Sequence, residues 1–172
     1  METEFEMQVR MFLSRSPFGF RNVSKDNLSL FCTALTHDSF SNEMLNLNPP
    51  RHVESYERLE FLGDSILEFL VCEHVYTNTD LSEGAMTDFK QDKVANSKLS
   101  DRVLAYGLGI DGLMRTGGGH SDRIEANMRS DCFEAILGAV YLSYGMDEAR
   151  RVVHEVVFHD YADETATDCL TP

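Results

Sequence analysis

No apolar run in this chain is long enough to span a bilayer, because the longest stretches are interrupted by Glu68 or Glu73, whereas a membrane helix needs about 20 apolar residues. The opening METEFEMQVR is acidic and lacks the basic-then-apolar order of a signal peptide. Four prolines and eleven glycines are too few for a disordered or collagen-like chain. Cys32, Cys72, Cys132 and Cys169 are scattered without a CxxC pair, which argues against a cysteine metal site. The first three lie in apolar, helix-like stretches and are expected to be buried free thiols, so a cytoplasmic location is expected. Basic residues are also scarce. Lys and Arg total 15 against 29 Asp and Glu, a net charge of −14, which opposes tight binding to a polyanion. Much of that excess sits at the ends, in Glu2, Glu4, Glu6, Glu155, Asp160, Asp163, Glu164 and Asp168.

What remains is helical. The 172 residues, 42% hydrophobic, suffice for one domain with a real core. Alternating strand patterns and internal repeats are missing, so the expected fold class is all-α. Phe5, Val9, Phe12 and Leu13 mark a first helix ended by Pro17 and Gly19. Ser24 or Asp26 can cap a second, carrying Leu28, Phe31, Cys32 and Leu35, and Asn46 to Pro50 read as a loop. The longest periodic segment runs from about Val53 to Tyr76. Ser82 can cap a helix to Val94, and Asn96 or Ser97 another to Tyr106, stopped by Gly107 and Gly109. Residues 107–123 are glycine-rich and read as a mobile loop. Two helices follow, from about Glu125 to Tyr144 and through Ala149, Val152, Val153, Val156 and Val157. The domain is expected to span 1–160, with an acidic polar tail over 161–172.

Two helix faces carry the chemistry. At about 100° per residue, Leu59, Leu62, Ile66, Phe69 and Leu70 form a core stripe, and Glu57, Glu60, Asp64 and Glu68 gather on the opposite side. Neighbouring like charges cost roughly 0.2–0.5 kcal/mol per pair, and no Lys or Arg interrupts this stripe. Phe61 falls beside the acids, away from the core, where an aromatic needs another surface to cover it. In SDCFEAILGAVYL, Phe133, Ile136, Leu137 and Val140 form a core stripe while Asp131 and Glu134 point the other way, flanked by the small Ala135 and Gly138. Small residues there let a second helix approach and bring the acidic faces together. Either pair alone reads as solvated surface. Together they point to carboxylates that cannot all ionise without cations. Hard oxygen ligands suit Mg²⁺, and two such ions about 4 Å apart promote phosphodiester hydrolysis. The residues alone thus lead to a helical, metal-dependent phosphoester enzyme.

The string Glu57-Arg58-Leu59-Glu60-Phe61-Leu62-Gly63-Asp64-Ser65 closely resembles the ribonuclease III signature. Thr36-His37-Asp38-Ser39, Leu81-Ser82-Glu83-Gly84 and Ser130-Asp131-Cys132-Phe133-Glu134-Ala135-Ile136-Leu137-Gly138-Ala139 follow the family's order, so the resemblance covers about Leu28 to Val157. It implies that Glu60, Asp64, Asp131 and Glu134 are the catalytic, metal-binding carboxylates, with Glu134 the most directly required. Glu57 and Glu83 match accessory acidic positions lining the same valley across a dimer, and Phe61 matches an aromatic inserted into a socket on the partner. It further implies a homodimer that cuts double-stranded RNA with Mg²⁺, for which Mn²⁺ can substitute, leaving 5′-phosphate and 3′-hydroxyl ends with a short 3′ overhang. No small-molecule cofactor and no membrane are implied. Three departures stand out: no double-stranded-RNA-binding domain follows the nuclease region, Tyr56 stands where many members have Asn, and the surface is very acidic. The first is expected to mean either a nuclease-only member or a segment ending at the domain boundary.

Other residues have two readings each. Lys90, Lys93, Lys98 and Arg102 are either a surface paired with Asp88, Asp92 and Asp101 or RNA-phosphate contacts. His37 is expected to pack or cap rather than act as a base, and His120 has no assignable role. Arg115 and Arg123 are candidates for loop contacts to RNA, and Asn127 for orienting a carboxylate or a metal-bound water. Two competing functions stay open: a non-catalytic dimeric duplex-RNA-binding protein and an all-α Mg-dependent nucleotide pyrophosphohydrolase. The first is disfavoured because every carboxylate is present, the second by the dimer valley that Phe61 implies.

Overall fold

A computed structural model describes residues 2–119 and 124–158. The expectations placed on His120, Arg123, Cys169 and the 161–172 tail lie outside them. The described residues contain eight α-helices and no strand, as the periodicity predicts: α1 Glu4–Leu13, α2 Lys25–Ala34, α3 Asp38–Leu45, α4 Glu57–Asn78, α5 Glu83–Val94, α6 Asn96–Tyr106, α7 Ala126–Tyr144 and α8 Met146–Val157. None of these helices is long and apolar enough to cross a membrane.

Local chemistry sets most helix ends. The Thr3 hydroxyl accepts the Glu6 N–H while the Glu6 carboxylate accepts the Thr3 N–H, a capping box that starts α1. Ser24 caps α2 and Ser82 caps α5. Gly107, at φ 75°, stops α6, and Gly145, at φ 89°, makes the sharp join between α7 and α8. Such backbone angles suit glycine alone among common residues.

The structure corrects the sequence reading in several places. Helix α3 was not anticipated, because its opening Asp38-Ser39 reads as the end of a motif and it is short. His37 starts it, its Nδ1 accepting the Ser39 N–H at 3.1 Å. Helix α4 begins at Glu57, not near Val53, because the Tyr56 N–H is already used on the Thr36 carbonyl at 2.8 Å. Neither Asn96 nor Ser97 caps α6; the preceding Ala95 alone separates it from α5, with no side-chain cap. Phe69 is 51% exposed, and Leu67 and Val71 are buried in its place. A wheel with one core side misses this, because the buried arc of α4 is wider and takes in Leu67, Val71 and Val75. Cys72 is likewise exposed, although Cys132 is buried and Cys32 half-buried as free thiols. The described part of the glycine-rich segment is anchored: Arg115 stacks on Phe5 at 4.0 Å and Phe40 at 4.9 Å and donates to the Thr36 hydroxyl. Gly117 and Gly118 N–H groups donate to Ser39 and Glu43 side chains.

Helix α7 is the axle of the fold. Twelve of its residues, from Met128 to Val140, are buried, and α2, α4, α6 and α8 pack around it, α4 most extensively. The α4–α7 crossing is a glycine contact in both directions. A Cβ on Gly63 would fall on the Glu134 carbonyl, and one on Gly138 would stand 2.5 Å from the Leu59 carbonyl oxygen. Backbone meets backbone there, so the two acidic faces are pressed together.

Candidate metal centre

The crossing decides where the acids go. On α4 the side chains of Glu60 and Asp64 lie one turn apart, flanking Gly63 in sequence. On α7 Asp131 and Glu134 lie within one turn, the latter contributing the very carbonyl that meets Gly63. Oxygens of Glu60, Asp131 and Glu134 all lie within 4.8 Å of one another. Asp64 falls outside that triad yet stays close enough for its charge to act on both glutamates.

Bringing these groups together is electrostatically costly. Glu134 is 5% exposed; burial pushes its carboxyl up to about 8, helped by the charges of Asp64, Asp131, Glu60 and Glu68. Burial likewise raises Glu60 to about 7, with Asp131, Glu57 and Asp64 adding to it. Asp64 is raised by burial and by Glu68, against the pull of Lys90. Asp131 is raised by burial, against a hydrogen bond from Ser130 and the proximity of His37. Lys90, whose charge reaches Asp64, pairs with Glu68 at 3.4 Å. A cluster of hard oxygens short of positive charge fits a divalent cation. These residues therefore form an acidic group able to hold a metal ion.

The remaining candidates fall as follows. Glu57 is exposed and accepts the Ser55 hydroxyl at 2.8 Å. Glu83, at the start of α5, lines a groove with Phe69, Cys72, Tyr76 and Met86, apart from the triad within one subunit. Phe61 is 79% exposed beside the acids. Of the basic cluster, Lys90 pairs with Glu68, Lys93 is buried over the Phe89 ring, and Arg102 pairs with Asp92 at 2.9 Å. Lys98 is exposed, with no ion pair among the described residues. His37 packs edge-on to Tyr56 and caps α3, the role expected of it. Arg115 is committed to Phe5, Phe40 and Thr36. The Asn127 side chain makes no hydrogen bond among the described residues; Asn96 instead donates to Asp131 Oδ1 at 3.4 Å. Arg129, also missed, is 8% exposed and joins α7 to Asp111 and Ser100. Nothing in a helical wheel distinguishes either residue, since both act between separate elements.

The sequence pattern of the ribonuclease-III-like family matches residues 27–161. This chain belongs to that family. Ribonuclease 3 of Onion yellows phytoplasma (strain OY-M) is 37% identical over 139 residues, covering 79% of this chain and 55% of the relative. Ribonuclease 3 of Symbiobacterium thermophilum is 40% identical over 128 residues, 73% of this chain and 51% of the relative. The chain thus spans about half the length of the curated relatives it matches. The crystal structure of the nuclease domain of ribonuclease III from Campylobacter jejuni shares the fold, with a TM-score of 0.67 and 20% identity, covering 94% of this chain and 97% of that one. Family membership and the shared fold show a ribonuclease III-type helical domain.

The raised carboxyls make a stability prediction. A carboxyl whose folded pKa lies above its unfolded value stabilises the fold fully below about pH 4.5, and that contribution is lost as pH rises through about 8. The metal-free ribonuclease III-like domain should therefore lose Tm between pH 6 and pH 9. Glu134→Gln should flatten the decline and stabilise the protein at pH 9 by a few kcal/mol. Scanning calorimetry in a chelator checks this; an equally steep decline in the variant would contradict it.

Proposed function

We propose that this domain is the catalytic part of a homodimeric endoribonuclease that hydrolyses phosphodiester bonds of double-stranded RNA, with Mg²⁺ and alternatively Mn²⁺ as its metal. The products would carry 5′-phosphate and 3′-hydroxyl ends with a short 3′ overhang. The observation that carries this reading is the meeting of Glu60, Asp131 and Glu134 within 4.8 Å, drawn from two helices of a ribonuclease III-like fold. The protein would work in the cytoplasm, where duplex RNA is accessible.

Glu60, Asp131 and Glu134 would ligate the metal directly, with Asp64 completing the set from its more open position. When bound, divalent cations supply an acidified water and a counter-charge for the scissile phosphate. The protein's part is to hold its oxygens fixed and to give up protons as the cations are taken up. The enclosure of α7 keeps Glu134 from rotating away, and the raised carboxyls of Glu134 and Glu60 are the groups that must deprotonate. Uptake of cations should thus be coupled to proton release near neutral pH. Glu57 adds negative charge beside the site, and Glu83 would do so only across the dimer. Lys98, exposed near the start of α6, is the member of the basic cluster most available for a phosphate contact; Lys90, Lys93 and Arg102 are engaged with Glu68, Phe89 and Asp92. Recognition would follow A-form shape and 2′-hydroxyls. The charge of −14 keeps phosphate contacts few and binding weak.

The homodimer reading rests on one side of α4. Phe61, Phe69 and Tyr76 are 79%, 51% and 75% exposed, and with Cys72 they share the flank next to the acids. A groove of about 550 Å³ opens at the far end of that flank, between α4 and α5. A knob and a hole on one face are self-complementary under a two-fold axis. Antiparallel packing of two α4 helices would seat each Phe61 in its partner's groove and bring Glu83 toward the neighbouring Glu57. One solved structure of the Campylobacter domain concerns flexibility in a region involved in dimer formation.

Purified protein with Mg²⁺ should cut long duplex RNA into short pieces, and Glu134→Ala should abolish cleavage while leaving the fold and dimer intact. Absence of cleavage by the wild type across Mg²⁺ and salt concentrations would refute the enzyme reading. Phe61→Ala should weaken the dimer by about 2 kcal/mol or more, the scale of a central interface aromatic. Sedimentation equilibrium measures this, and an unaltered dimer would remove the socket role.

A further inference from the structure

The α5–α6 corner delivers a polar side chain to the metal centre, and nothing in the motif readings accounts for it. Asn96 is the first residue of α6, where an asparagine ordinarily serves the exposed N–H groups of the helix end. It does not do so here, since the cap position is Ala95 and α6 has no side-chain cap. Its Nδ2 instead donates to Asp131 Oδ1 at 3.4 Å, across 35 residues of sequence. Ser130 Oγ also lies 3.4 Å from that oxygen, but its single proton has a nearer acceptor in the Asn127 carbonyl at 2.9 Å. Asn96 is thus the donor that reaches, from another helix, a half-buried carboxylate of the Glu60–Asp131–Glu134 triad.

The side chain itself is exposed, but the helix start that carries it is held in place. Arg102 closes the corner by donating to the Asp92 carbonyl at 3.1 Å and to its carboxylate at 2.9 Å. Arg129, two residues before Asp131 on α7, donates to Ser100 Oγ on α6 at 2.7 Å and binds Asp111. Helix α6 is thereby locked to the helix that carries Asp131. An oriented donor on a rigid element restricts the rotation of its carboxylate, which lowers the entropy lost when that carboxylate takes a cation.

We propose that Asn96 is a positioning residue of the metal centre, its amide holding Asp131 in the orientation that lets it share a divalent cation with Glu60 and Glu134. The proposal rests on the metal reading of that cluster. It assigns a role to the α5–α6 corner, namely setting how much cation the site requires.

The test is calorimetric titration of Mg²⁺ into the metal-free protein, comparing wild type with Asn96→Ala, Asn96→Ser and the neighbouring Ser97→Ala. Outer partners of metal ligands typically change affinity by about 10- to 100-fold, so Asn96→Ala should weaken Mg²⁺ binding about tenfold. Ser97→Ala should bind as the wild type does. Asn96→Ser keeps a residue suited to a helix start but is too short to reach Asp131, so it should show the same weakening at an unchanged metal-free Tm. In duplex-RNA cleavage, the Mg²⁺ concentration for half-maximal rate should rise about tenfold, with kcat at saturating Mg²⁺ within about threefold of wild type. Wild-type affinity in either Asn96 variant would overturn the role of Asn96 while leaving the metal centre standing. Failure of the wild type to bind Mg²⁺ would overturn the centre itself, and this inference with it.

Discussion

The backbone-to-backbone crossing of α4 on α7 is the constraint on which the rest of the structure depends. Gly63 lies against the Glu134 carbonyl and Gly138 against that of Leu59, so neither helix can carry a side chain at the contact. Close approach of this kind places residues flanking the contact within reach of one another. Glu60 and Asp64 lie on either side of Gly63 in sequence, and Glu134 meets it directly. The acidic group is therefore a by-product of how the two central helices pack, with the Glu134 carboxylate enclosed in the core.

That packing is achieved against electrostatics. A buried Glu134 surrounded by Asp64, Asp131, Glu60 and Glu68 favours its protonated form, and the fold must supply the free energy to hold it there. It does so with an apolar axle: α7 buries Phe133, Ile136, Leu137 and Val140 fully, among packed helices. Sites that bind multivalent cations commonly retain this kind of local instability, because its relief on loading is part of the binding free energy. The exposed flank of α4 has a parallel logic. Phe61 and Tyr76 are left exposed, and a second copy is the cover that we propose for them.

Much of this was legible from residue spacing. The acid stripe of α4, the opposed Asp131 and Glu134, and the small residues at 135 and 138 together predict two helices pressed acid face to acid face. Phe61 is outside the core on the wheel and outside it in the fold. Legibility failed wherever one helix read alone does not decide. Phe69 falls on the core side of a wheel and Cys72 in an apolar stretch, whereas the buried arc of α4 in the fold lies toward Leu67 and Val71. Arg115 looked available for RNA, but Phe5 and Phe40, distant in sequence, hold it. Asn96 and Arg129 carried no periodic signal, since their partners Asp131, Ser100 and Asp111 are met only through the tertiary fold.

The most direct test of the central claim is to locate the cation itself. Crystals soaked in Mn²⁺ and measured at its absorption edge should show an anomalous peak bounded by Glu60, Asp131 and Glu134, absent from crystals of Glu60→Gln with Glu134→Gln. Ordered Mn²⁺ elsewhere on the domain, with none among those three carboxylates at saturating concentration, would contradict the account.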